Sequence, residues 1–96
     1  MVYVISDYTK ERAHQYGVKV RPSTYANKKI DVYHKLTNDY ICSIGDVRYK
    51  DYPFYLEVYG QEYADQRASL FWKRFRHAKP GSAGYWAKLL LWWIFL

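Results

Sequence analysis

The residue types best suited to catalysis or metal binding are few and far apart in this chain. The three histidines are His14, His34 and His77, and none has a partner three or four residues further along that suits a metal or a base. Asp31 lies near His34, but residues three apart in a strand point to opposite faces. The sequence therefore predicts no enzyme, no metal site and no cofactor.

The single cysteine and a serine between glycines carry no clearer chemical signal. Cys42 has no second cysteine to pair with, and no zinc-binding pattern of Cys and His is present. Its place in a predicted strand is typical of a small core residue. Ser82 stands in Gly81-Ser82-Ala83-Gly84, where no strand precedes it and no acid and histidine follow, so it is not a nucleophile elbow. The glycines instead predict a tight turn between two helices.

A basic and aromatic segment offers a different chemistry, the binding of phosphate groups. Tyr63 and Trp72 can stack on bases, while five cations can neutralise phosphates: Arg67, Lys73, Arg74, Arg76 and Lys79. The same spacing is equally typical of an amphipathic helix whose basic face meets water or an acidic protein. The net charge of +6 suits a negatively charged partner of either kind.

The C-terminal residues are apolar and predict contact with protein. Residues 89–96 form an uninterrupted apolar run of eight. A bilayer span takes about 20 residues, so the run predicts a buried helix, with interfacial membrane contact at most. The nearby aromatic side chains are predicted to be the partner-binding anchors: Tyr85, Trp86, Trp92, Trp93 and Phe95.

The composition also favours binding surfaces over chemistry. Ninety-six residues make one domain at most. Aromatic residues are 21% of the chain, with 12 tyrosines and 4 tryptophans. Twelve tyrosines are too many for one small core, and Tyr is enriched at interfaces. Several are therefore expected on the surface.

The local signals predict an α+β fold. Ser6 or Asp7 can cap a helix that runs to about residue 16 and ends at Gly17. Residues 18–21 alternate apolar and basic as a short edge segment that Pro22 ends. Residues 29–36 and 40–44 form a β-hairpin, with Ile30 and Val32 on its core face and Asp31, Tyr33 and Lys35 on the other.

The second half of the chain is predicted to be helical. A short helix covers 53–59 and ends at Gly60. The next covers 61–78 with an apolar stripe of Ala64, Ala68, Phe71 and Phe75, and Ser82 caps a last, buried helix. The whole is expected to be one small α+β domain, residues 1–96: an N-terminal helix and a β-hairpin that a third strand can extend (1–48), then two or three C-terminal helices (49–96).

Eight segments of the chain form a pattern that is specific in combination: Val20-Arg21-Pro22-Ser23-Thr24, Lys28-Lys29-Ile30-Asp31-Val32-Tyr33, Ser43-Ile44-Gly45, Tyr49-Lys50-Asp51-Tyr52-Pro53-Phe54-Tyr55-Leu56, Ala64-Asp65-Gln66-Arg67, Phe75-Arg76-His77, Gly81-Ser82-Ala83-Gly84-Tyr85-Trp86-Ala87 and Leu89-Leu90-Leu91-Trp92. In these segments the chain resembles a family of small uncharacterised proteins of nucleocytoplasmic large DNA viruses, the giant viruses of algae and protists. The resemblance covers about residues 10–92. The chain departs from the family between His77 and Gly81, where it is shorter and less basic, and in the apolar residues after Trp92.

The resemblance implies a viral origin but no mechanism. Capsid lattices need many small cement proteins, and such proteins should be short, aromatic-rich and able to bury apolar ends in their neighbours. We therefore expect a minor capsid or cement protein in the virion of a large double-stranded DNA virus, bound to capsid or other virion proteins. Its location is otherwise the host cytoplasm, at the site of viral assembly. The alternative is a basic protein that binds nucleic acid or packages DNA.

Overall fold

The computed structural model describes residues 3–92. The chain divides into an N-terminal unit, Met1–Tyr49, and a C-terminal unit, Lys50–Leu96. Helix α1 and a three-stranded antiparallel sheet form the first, and three helices follow in the second. The predicted α+β class is thereby confirmed. The division lies one residue from the predicted border between the halves, while the joining of both halves into one domain stays a prediction.

Helix α1, Asp7–Gln15, begins and ends where the local signals predict. The Ser6 side chain accepts a hydrogen bond from the backbone N–H of Thr9 at 3.2 Å, which satisfies a donor that the first turn leaves unpaired. Gly17 follows the helix with φ +71°, a conformation that glycine adopts without steric cost.

The sheet has the strand order β1 (Val18–Pro22), β2 (Lys28–His34), β3 (Tyr40–Asp46). Val32 of the central strand pairs with Val20 on one side and with Cys42 on the other. The core side chains of β2 and β3 are fully buried, with Ile30 and Val32 at 0% exposure and Ile44 at 1%. The predicted hairpin and its third strand are both present, and the period-two apolar pattern correctly identifies the core face.

The opposite face of β2 departs from the expectation of an outward Asp31. Asp31 is only 1% exposed, and Ser23 and Ser43 each donate a hydroxyl hydrogen bond of 2.6 Å to its Oδ1. A buried carboxylate is stable only when hydrogen-bonded, and these donors come from the loop after β1 and from β3. Alternation within one strand cannot reveal them, since they are remote in sequence.

The loop after β3 holds an exposed ion pair. Arg48 donates from Nη2 to Asp46 Oδ2 at 2.7 Å, and its backbone N–H donates to Asp46 Oδ1 at 2.9 Å. The side-chain bond is the largest of the effects that favour the charged carboxylate, followed by the backbone bond, and the pKa of Asp46 is lowered from 3.8 to about 2.

Replacing Arg48 with alanine is therefore expected to raise the pKa of Asp46 toward 3.8. Because the folded pKa is depressed, the contribution of Asp46 to stability is present above the unfolded value and is lost as the pH falls through about 2. A carboxyl-carbon NMR titration measures the shift, with Arg76→Ala as the control that should leave it unchanged. A pKa of about 2 retained in Arg48→Ala would contradict the assignment.

In the C-terminal unit, α2 (Tyr52–Tyr59) and α3 (Gln61–Arg74) are joined by a single residue, Gly60, with φ +92°. Tyr52 donates its hydroxyl to Asp65 Oδ1 at 2.7 Å, and Gln61 Nε2 donates to the Tyr52 oxygen at 2.8 Å. Burial, followed by the bond to Asp65, raises the pKa of the Tyr52 phenol. This network fixes the start of α2 against the first turns of α3.

Helix α3 ends at Arg74, four residues before the predicted end, because the chain turns back there. Phe75 is the C-cap, and the backbone N–H of Ala78 bonds to the Phe75 carbonyl in the following turn. Ala64 and Ala68 on the predicted stripe are 0% exposed. The stripe is thus correct, but its last residue, Phe75, belongs to the turn.

Helix α4, Ala83–Leu91, begins at the predicted cap: the Ser82 side chain accepts from the backbone N–H of Tyr85 at 3.3 Å. Gly84 lies against the end of α3, where a Cβ would come within 2.7 Å of Phe75 Cδ1. Four residues later, the Lys88 ammonium lies 4.9 Å from the centre of the Trp72 ring. The start of α4 therefore lies against the turn that ends α3, and Lys88 contacts the last turn of α3 through its side chain.

Candidate protein-contact surface

Helix α2 has a single charged residue, Glu57, and is otherwise apolar or aromatic, yet most of it faces solvent. Pro53 lies in its first turn, where the missing N–H has no helical partner to lose. Four apolar side chains remain exposed over 36–59% of their surface: Phe54, Leu56, Val58 and Tyr59. Apolar side chains gathered on one exposed helix are typical of protein-contact surfaces.

The rings of α2 continue onto α3 in an aromatic cluster, defined as Phe54, Tyr55, Tyr59 and Tyr63. The ring centroids of Tyr59 and Tyr63 are 4.9 Å apart, those of Tyr55 and Tyr63 5.8 Å, and those of Phe54 and Tyr55 5.5 Å. Tyr63 is 41% exposed. Rings that hold one another in place lose little conformational freedom on binding, which suits them to contact.

Cations border the aromatic cluster at both ends. The Arg67 guanidinium lies 5.2 Å from the centre of the Tyr55 ring, and the Lys50 ammonium lies 5.1 Å from that of Phe54. Such cation–π contacts hold the charges beside the rings. The combination of Tyr, Phe and Arg is the composition of interface hot spots.

The predicted anchors near the C-terminus divide into three groups. Trp92 is 8% exposed and stacks on Phe71 at 5.1 Å and on Tyr55 at 5.9 Å, so it belongs to the core of its own unit. Tyr85 and Trp86 are half-buried and meet edge to face at 5.3 Å. Trp93 and Phe95 lie outside the described residues.

Trp86 retains a donor that the surrounding structure does not satisfy. Its indole Nε1 is buried and has no hydrogen-bond partner within residues 3–92. The equivalent nitrogen of Trp72, by contrast, donates to the backbone oxygen of Trp92 at 2.6 Å. That bond satisfies a carbonyl at the C-terminal end of α4, where the helix offers no partner.

The five predicted phosphate-binding cations are all exposed. Arg67, as described, lies over Tyr55, and Arg74 lies 5.1 Å from the centre of the Phe75 ring. Within residues 3–92 none of the five takes part in an ion pair. Residues 66–80 carry all of them and no acidic residue. They form a basic border along α3 and the turn after it, without the convergence of a pocket.

The residues considered for catalysis stay apart. His14, His34 and His77 are exposed on different elements, and no group of three or more His, Cys, Asp or Glu within residues 3–92 is placed to hold a metal ion. Burial, and then the charge of Asp31, raise the pKa of the Cys42 thiol to about 11. The thiol is therefore protonated and weakly nucleophilic at neutral pH.

The exposed surface of α2 was not predicted from the sequence, although its composition carries a signal. Half of this eight-residue helix is made up of Phe54, Leu56, Val58 and Tyr59, and the sequence predicted it only as a short helix over 53–59. Leu70 of α3, at 62% exposure, was also missed. The partner-binding anchors were predicted in the aromatic residues near the C-terminus instead, because the sequence alone cannot distinguish a covered aromatic side chain from an exposed one.

Helices in the described part of the chain all fall short of the length and hydropathy that a membrane crossing requires. The main surface features of the described residues are the exposed α2, the aromatic cluster and the basic border. Comparison with family models, with curated proteins and with solved structures finds no match for this chain.

Proposed function

We propose that this chain is a virion structural protein, a minor capsid or cement protein that makes protein–protein contacts in the capsid of a large double-stranded DNA virus. The observation that carries the proposal is the exposed apolar surface of α2. The exposed parts of Phe54, Leu56, Val58 and Tyr59 contribute nothing to the core of the monomer, and a partner can remove them from water. The sequence resemblance described above supports the viral setting.

The energetics favour contact through α2 and the aromatic cluster. Removing apolar surface from water contributes about 25 cal/mol per Å², and the uncovered fractions of these side chains are what a partner can still bury. Because association itself costs free energy, one small surface of this kind supports modest affinity. A capsid lattice compensates, since it repeats the same contact many times and holds each copy near several partners.

The proposed contact differs from the anchors predicted at the C-terminus. Trp92 is covered by Phe71 and Tyr55, so it supports the surface from within and is not offered to a partner. Tyr85 and Trp86 remain half-buried and lie on α4. The proposed location is the virion and, before assembly, the cytoplasmic site where capsids form.

Site-specific photo-crosslinking tests the contact. A benzoylphenylalanine at Val58 of the full chain, produced in infected cells, is expected to form adducts with a capsid protein in purified virions. The matched control places the same group at Leu36, which is 85% exposed but stands alone in the β2–β3 turn. Absence of the chain from purified particles, or equal capsid adducts at both positions, would refute the proposal.

The second candidate function is nucleic-acid binding by the basic border. Two observations favour it: the five cations are exposed, and within residues 3–92 none of them forms an ion pair with an acidic residue. The five are Arg67, Lys73, Arg74, Arg76 and Lys79. This function predicts DNA retention that falls steeply with salt and is weakened in Arg74→Ala and Arg76→Ala. Release of the chain from opened virions by nuclease would favour it over the capsid role, whereas nuclease-resistant association would favour the capsid.

A further inference from the structure

One side of α3 carries a regular row of large exposed side chains, defined here as the α3 stripe: Tyr63, Arg67, Leu70 and Arg74. The residues are spaced four, three and four apart, which places them on a single face of the helix. All four are exposed, and Leu70 is the most exposed hydrophobic side chain on the helix at 62%. This spacing is that of a seam between two paired helices.

The α3 stripe is complementary to itself when two copies run antiparallel. Tyr63 of one copy then faces Arg74 of the other, and Arg67 faces Leu70. The same contacts recur on the far side of a two-fold axis that passes between positions 68 and 69, as a symmetric dimer requires. A guanidinium over a tyrosine ring is favourable, and the Arg67 guanidinium is already drawn toward Tyr55 of its own chain. Because Arg67 lies toward Tyr55, the Leu70 side chains of the two copies can meet at the centre of the seam.

The charges on the exposed flank select the same orientation. Glu62, in the first turn of α3, and Lys73, in its last turn, lie beside the α3 stripe and are both exposed. An antiparallel pair brings Glu62 of each copy near Lys73 of the other, whereas a parallel pair brings like charges together. Asp65, the other acid of the helix, is engaged by Tyr52 and Gln61.

We propose that the α3 stripe is the contact between two copies of this chain, packed antiparallel about a two-fold axis. The stripe is about 16 Å long from Tyr63 to Arg74, which makes a small interface and a weak, concentration-dependent dimer. The contact requires no other protein. The stripe shares Tyr63 with the aromatic cluster, but the exposed α2 residues Phe54, Leu56 and Val58 lie outside it. Failure of the dimer would therefore leave the proposed capsid contact through α2 untouched, and failure of the capsid contact would leave the dimer untouched.

Cysteine cross-linking tests the orientation. In a Cys42→Ser background, a short bismaleimide that bridges less than one helix diameter, about 10 Å, is applied to Leu70→Cys and to Tyr63→Cys. In the antiparallel pair the two copies of position 70 are offset by about 4.5 Å along the axis, and those of position 63 by about 16 Å. We expect a cross-linked dimer from Leu70→Cys only. Cross-linking of both positions would indicate a parallel pair, and of neither a monomer; both outcomes would overturn the proposal.

A charge exchange tests the pairing independently, by analytical ultracentrifugation of the purified chain over a concentration series. Lys73→Glu and Glu62→Lys are each expected to weaken self-association about fivefold, because the symmetry places every changed charge in the contact twice. The double variant, which restores opposite charges across the axis, is expected to recover it. Leu70→Asp should abolish the dimer while the circular dichroism spectrum stays unchanged. A native chain that stays monomeric up to about 1 mM would overturn the proposal.

Discussion

Replacing Trp92 with alanine is expected to lower the free energy of unfolding by about 3–5 kcal/mol. Trp92 is 8% exposed, and its ring stacks between Phe71 of α3 and Tyr55 of α2. Truncation removes both stacking contacts and leaves a cavity between these two helices. Small domains have about 5–15 kcal/mol of stability in total, so the loss is a large fraction of what is available.

Urea unfolding followed by far-ultraviolet circular dichroism measures the effect of Trp92→Ala. Trp92→Phe is the matched variant: it keeps a ring for Phe71 and Tyr55 and should lose much less. Ser69→Ala, on the exposed side of α3, should change the midpoint little. A loss below about 1 kcal/mol in Trp92→Ala would show that this ring does not hold the three helices together.

Replacing Ile30 with alanine is expected to cost about 2–5 kcal/mol in the N-terminal unit. Ile30 is 0% exposed on the central strand, beside Pro22 of β1 and Ile44 of β3 in the register. The backbone hydrogen bonds to both neighbouring strands fix the strand spacing, so the sheet cannot collapse into the space left behind. The loss in the free energy of unfolding should therefore be well above the transfer free energy of the removed apolar atoms alone.

Ile30→Val, which removes one methylene, should cost only about 0.5–1.5 kcal/mol. Leu36→Ala removes a similar volume from a residue that is 85% exposed and should stay within about 0.5 kcal/mol of the native chain. Equal losses in Ile30→Ala and Leu36→Ala would contradict the assignment of the core face. All four tryptophans lie in residues 50–96, so circular dichroism of the strands, and not tryptophan fluorescence, reports this transition.

The local elements of this protein follow from neighbours in the sequence. Ser6 and Ser82 cap helices because a short polar side chain reaches a backbone N–H three residues away. Ile30 and Val32 mark the core face because side chains alternate along a strand. Ala64 and Ala68 mark the buried side of α3 because one helical turn separates them. Each of these interactions spans only a few residues, and the sequence alone was sufficient to predict them.

The candidate surface could not be predicted in the same way. Trp92 and Tyr59 are both large aromatic residues in apolar segments, and their sequence neighbours do not indicate which of the two is buried. Trp92 is covered because α2 and α3 supply Tyr55 and Phe71, whereas Tyr59 remains 59% exposed. The early end of α3 at Arg74 likewise depends on where the chain turns back.

The burial of Asp31 shows the same division most clearly. From its strand alone it belongs to the polar face; in the folded chain it is 1% exposed and bound by Ser23 and Ser43. The sequence by itself determined where the helices begin, where the strands lie and which face of the sheet is the apolar core, through forces that act between near neighbours. The tertiary structure alone decided which aromatic rings are covered and which polar groups are enclosed, because burial depends on residues that only folding brings together.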